Sequence, residues 1–154
     1  MNLFDRRSLL LALAVGLGCS SLALRAFAAG PANLDGRGVA IHGYDPVAYF
    51  AESKPVKGTV ERSTTAHGAT YWFASDKNLE LFKADPAKYE PQYGGYCAYG
   101  VAQGFKPDID PTAFRVEGGK LYLNLSPDVQ SRWIKDMPGH IEQANNNWKT
   151  LKDK

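Results

Sequence analysis

Cysteine usage sets the first limit on what this chain can fold into. Of its two cysteines, Cys19 falls in an N-terminal stretch that reads as a removable leader, which leaves Cys97 alone in the remainder. A lone thiol has no intramolecular partner, so no disulfide staples the fold. The sulfur must be buried and inert, bound to a metal, or reactive. Cys97 lies in the uncharged run Gln92-Tyr93-Gly94-Gly95-Tyr96-Cys97-Ala98-Tyr99-Gly100, rich in tyrosine and glycine. Much of the functional question reduces to choosing among those three states.

The leader is read from its own pattern. Arg6-Arg7 stand just before an apolar run from Leu9 to Leu24, and Ala26-Phe27-Ala28 supplies a small-x-small cleavage site. This is the pattern of a twin-arginine secretory signal over residues 1–28, with cleavage expected after Ala28. The apolar run is shorter than the roughly 20 residues a spanning helix needs, so no stable membrane span is expected after cleavage. The expected location is the periplasm, or export by the same route elsewhere. The alternative is a lipid anchor on Cys19, disfavoured by Gly16 at the minus-three position.

Setting the leader aside also changes the charge. Without Arg6, Arg7, Arg25 and Asp5, the chain keeps 15 basic and 15 acidic residues. No basic field remains to attract nucleic acid or anionic lipid. Residues 29–154 fit one domain with a modest core in which aromatic side chains weigh heavily.

Local signals then place the elements. Val39-Ala40-Ile41-His42 reads as a short strand or edge, broken by Asp45-Pro46, because a residue before proline is pushed out of helical geometry. One helical turn follows from Pro46 to Ala51. Thr59–Thr65 and Thr70–Phe73 alternate as paired strands around a His67-Gly68 turn. Ser75-Asp76 caps a helix over 77–84 with Leu79, Phe82 and Leu81 on its buried face. Asp85-Pro86 ends it and opens a further turn through Tyr89. Phe114–Glu117 and Lys120–Leu123 flank Gly118-Gly119 as the clearest hairpin. Ser126-Pro127-Asp128 starts a helix whose apolar stripe is Val129, Trp133 and Ile134. Pro138-Gly139 is expected to break it before a last helix from His140 with Ile141, Ala144, Trp148 and Leu151 on one face. The expected fold is a small single α+β domain, with β-hairpins in the middle and helices at the C-terminal end.

Three stretches resemble the YHS domain: Asp45-Pro46-Val47, Gly68 to Ser75 (Gly-Ala-Thr-Tyr-Trp-Phe-Ala-Ser), and Leu81 to Tyr89 (Leu-Phe-Lys-Ala-Asp-Pro-Ala-Lys-Tyr). The resemblance covers roughly residues 41–89, and the remainder to Lys154 resembles the family's exported single-domain branch. It implies a YHS-like core and, in metal-binding members, a thiolate site. Those members carry cysteines where this chain has Ala48, Ala74 and Asn78. Alanine has no donor atom, and a neutral amide is a poor ligand for a soft metal, so the implied thiolate site is absent here.

A replacement set is conceivable. Cys97 with His42 and His67 offers thiolate and imidazole donors suited to copper or zinc. Against it, His67 beside Gly68 fits a solvated turn residue. His42 fits a ring bonded to Asp45 or to backbone, and His140 fits a helix-start cap. Tyr93, Tyr96 and Tyr99 are either packed aromatics or the wall of a pocket for an aromatic or tetrapyrrole ligand. Three functions follow from these alternatives. The first is an exported, non-catalytic YHS-type accessory protein that handles a copper or zinc ion, or meets a redox partner protein, through Cys97. The second is a thiol-dependent periplasmic oxidoreductase. The third is a structural interaction domain with an inert buried cysteine.

Overall fold

Short alternating strands, turned at His67-Gly68 and at Gly118-Gly119, give two separate hairpins. The computed structural model describes residues 32–154. The leader, its cleavage site and Cys19 lie outside the described residues. Helix α1 (Ala48–Ala51) precedes the first hairpin, β1 (Thr59–Ala66) with β2 (Ala69–Phe73). Helices α2 (Asp76–Ala84), α3 (Pro86–Tyr89) and α4 (Ala98–Ala102) follow. The second hairpin is β3 (Asp110–Glu117) with β4 (Lys120–Asn124), and helices α5 (Pro127–Ile134) and α6 (Met137–Leu151) close the chain. Each hairpin is an antiparallel two-stranded sheet of its own. The architecture is α+β, as expected.

The turns explain the register. His67 and Gly68 have φ of +47° and +84°, and Gly118 and Gly119 have +56° and +72°. Two successive left-handed residues match the twist of a tight hairpin. They pair Ala66 with Ala69 and Glu117 with Lys120. Each ladder shifts register further from its turn, between Thr59 and Ser63 and between Asp110 and Phe114.

Strand β4 organises the interior. Successive side chains of a strand point to opposite faces, and Leu121 to Asn124 are all buried. Leu121 and Leu123 join a first apolar cluster with Val47, Tyr49, Phe73, Phe82, Tyr89 and Cys97. Tyr122 joins a second with Tyr93, Val101, Trp133 and Ala144. One strand therefore carries a core on each face, and α4 and α6 cover the second.

Several expectations are corrected. Val39 and Ala40 form only isolated bridges, to Thr70 and Leu34. Ile41–Gly43 is a 3-10 turn, with Ile41 and His42 at φ of +51° and +53°. Pro138-Gly139 does not separate the last two helices. Proline is tolerated at the first helical positions because its missing N–H had no partner there. Pro138 accordingly sits in the first turn of α6, capped by the Asp136 side chain accepting from Gly139 N. Leu81 and Ile134 are exposed, and Asn78 takes the buried place beside Phe82. Two elements had no sequence signal read for them: a 3-10 turn over Gln92–Gly95 and helix α4.

Candidate functional site

The Cys97 sulfur is placed by the start of α4. Cys97 is the N-cap residue, and its Sγ accepts from Gly100 N at 3.4 Å. Leu125 N, arriving from the end of β4, donates to the same sulfur at 3.3 Å. The thiol in turn donates to Asn124 Oδ1 at 3.7 Å, an oxygen that also accepts from Tyr99 N. Cys97 is 1% exposed and Asn124 is fully buried. The sulfur thus replaces the oxygen of an ordinary N-cap side chain, and it ties α4 to the exit of β4.

The two histidines are committed elsewhere. His42 Nε2 lies 2.8 Å from Asp108 Oδ1, rather than on Asp45 or backbone. The same oxygen accepts from Asn33 Nδ2 and from Ile109 N, both at 2.8 Å. Asn33 also donates to Gly95 O. The lead-in, the His42 turn and the Gly94-Gly95 loop are therefore joined through one carboxylate. His67 Nδ1 contacts Glu90 at 2.8 and 3.0 Å from its two oxygens. The structure does not bring Cys97, His42 and His67 together. Among the described residues, no three histidine, cysteine or acidic side chains are grouped to hold a metal ion. His140 Nδ1 meets Trp133 O at 2.9 Å, joining the start of α6 to α5.

Burial by itself would raise the Asp108 carboxyl, but the hydrogen bonds from Asn33, His42 and Ile109, with the imidazole charge, hold it below its ordinary 3.8. A carboxyl lowered by folding stabilises the native state above its unfolded pKa. That contribution disappears as pH falls through the folded value. With the Asp108 side chain 58% exposed, solvent screening keeps the energy small. The expected result is a titration midpoint for Asp108, followed by carboxyl NMR, below 3.8 in the native chain. In Asn33→Ala it should move up towards 3.8, and an unmoved midpoint would show that the bond from Asn33 does not set it.

The three tyrosines pack. Tyr93 is buried, its hydroxyl bonds to Asn145 Oδ1 at 3.0 Å, and its ring meets Tyr122 and Trp148. Desolvation drives its phenol above the ordinary range. Tyr96 stands against Trp148, and Tyr99 meets His140 edge-on. None of the three lines the cleft beside Trp148, whose walls include His67, Tyr71, Glu90 and Gly94.

A further site, missed by the sequence reading, is centred on Asp45. The positions at which the resemblance implies cysteines converge there. Asp45 is fully buried. Its Oδ1 accepts from Val47 N at 2.8 Å and Ala48 N at 3.3 Å. Its Oδ2 accepts from Ala74 N at 2.9 Å and Asn78 Nδ2 at 2.8 Å. Ala48, Ala74 and Asn78 thus surround one carboxylate that satisfies four donors, and Asn78 spends its amide on holding it. Where thiolates would bind a soft ion, this chain has a buried hydrogen-bonded clamp linking α1, the end of the first hairpin and α2. The only signal for it was Asp45-Pro46 itself, which reads equally as a loop breaker.

The family model described as YHS domain matches residues 47–93. The match runs from the entry to α1 through the first hairpin, α2 and α3 to Tyr93, and stops short of Cys97. Comparison with curated proteins returned no match, and comparison with solved structures returned none either.

Proposed function

We propose that this chain is an exported, non-catalytic accessory module of the YHS type, in which Cys97 holds the fold and performs no chemistry. The YHS family is often linked to metal handling, but the two places where this chain would hold a copper or zinc ion are spent on hydrogen bonds. The observation that carries the reading is the state of the sulfur: 1% exposed, capping α4, with two amides and a side-chain oxygen as its partners. Thiol chemistry needs a thiolate that solvent or a partner can reach. Burial closes that approach, and no imidazole is among the partners of the sulfur. Export rests on Arg6-Arg7, the apolar run and Ala26-Phe27-Ala28; the periplasm is the corresponding location, with attachment through Cys19 as the alternative. Among the described residues no helix is long and apolar enough to cross a membrane.

The test is modification of Cys97 by iodoacetamide, located by peptide mass spectrometry so that Cys19 is not confused with it. In the native protein the rate should be at least about 100-fold slower than in urea, because the label must wait for local opening. Cys97→Ser should keep the cap and fold normally, since serine is a preferred N-cap residue. Rapid native labelling would restore the redox reading. A stoichiometric copper or zinc ion lost in Cys97→Ser would restore the metal reading.

A further inference from the structure

The cleft of about 170 Å³ between the first hairpin and α6 shares no lining residue with the Cys97 or Asp45 sites. Tyr71, Trp148, Ala69 and Pro91 are among its lining residues, and its titratable groups besides Tyr71 are Glu90 and His67. Glu90 is only 19% exposed, and its negative charge reaches Tyr71, whose phenol burial and that charge together hold protonated. The imidazole is 71% exposed and stands on the tight turn at a left-handed φ that a histidine adopts at some cost. It is a weak partner for a half-enclosed carboxylate, because exposed ion pairs contribute little.

We propose that this cleft binds a small organic ammonium ion, with Glu90 as its counter-charge and Tyr71 and Trp148 as its aromatic walls. An aromatic face attracts a cation through the ring's negative face, most strongly for tryptophan. A carboxylate at the same place adds charge attraction and repels anions. The size fits as well: a cavity of about 150 Å³ holds a molecule as large as benzene. This space therefore admits a trimethylammonium head. His67 competes with the cation for Glu90 and swings out on its exposed turn when a cation arrives. The proposal goes beyond the accessory-module reading and does not depend on the state of Cys97.

The experiment compares choline with its uncharged isostere 3,3-dimethylbutan-1-ol, following the Trp148 indole N–H by NMR. Choline should produce a saturable shift with a Kd of about 1 mM, and the isostere should bind at least about tenfold more weakly. Glu90→Gln should weaken choline by a similar factor. His67→Ala, on an exposed turn, should bind choline equally well or more tightly. Equal shifts from the two probes, no saturation with choline, or loss of binding in His67→Ala would each overturn the proposal. The two-probe comparison on the unaltered chain decides even if Glu90→Gln fails to fold.

Discussion

Asp45→Ala should lower the stability of this protein by about 4 kcal/mol, measured as the midpoint and slope of urea unfolding. The carboxylate is fully buried and accepts from three backbone N–H groups and the Asn78 amide. Alanine leaves all four donors without this acceptor, and each buried donor without a partner costs about 1–3 kcal/mol. Relaxation and water entry recover part of the sum. Asp45→Asn retains the shape and one acceptor oxygen, but its new NH2 faces donors. It should cost about 2–3 kcal/mol, because hydrogen bonds to a charged group are the stronger kind. Asn78→Ala removes a single donor and should cost less than either. The order Ala above Asn at position 45, with Asn78→Ala last, identifies a charged acceptor as the centre. An Asp45→Ala variant within about 1 kcal/mol of the unaltered chain would mean that water or rearranged backbone satisfies those donors.

This clamp also marks how far the sequence can be read. Elements fixed by neighbours in the chain were legible. His67-Gly68 and Gly118-Gly119 set their hairpins, and Ser75 and Ser126 cap α2 and α5 by accepting from Asn78 N and Val129 N. Asp45 was legible as the end of a segment but not as a hub, because two of its donors lie 29 and 33 residues away. The surroundings of Cys97 were hidden for the same reason. Leu125 and Asn124 reach the sulfur from 28 and 27 residues downstream. Helix α4 was missed because five residues of alanine, tyrosine, glycine and valine carry no amphipathic period, and its cap is a cysteine. The Asp108 and Glu90 partners of the two histidines are 66 and 23 residues off, so the candidate ligand set was assembled from residues that tertiary packing assigns elsewhere.

Trp133→Ala should cost about 4 kcal/mol, and the unfolding should remain a single transition. The second half of that result carries more information. The family match ends at residue 93, and Trp133 lies well beyond it, fully buried in the second cluster. If the C-terminal part were an appendage, the variant would melt it separately and leave the first hairpin folded. The packing argues otherwise. Trp133 stacks at 5.3 Å from Tyr122, and Tyr122 stands on β4 between Leu121 and Leu123, which belong to the first cluster. A hole behind Tyr122 loosens the strand that both clusters share. Cys97 packs in the first cluster and Ala98 in the second, so α4 ties them again. Trp133→Phe is the internal control. It loses ring area, but it also removes an indole N–H that is buried without a partner among the described residues, so it should cost only about 1 kcal/mol. Two resolved transitions in Trp133→Ala, followed by near-ultraviolet circular dichroism and by amide exchange in β2, would show that the matched segment folds without the rest of the chain.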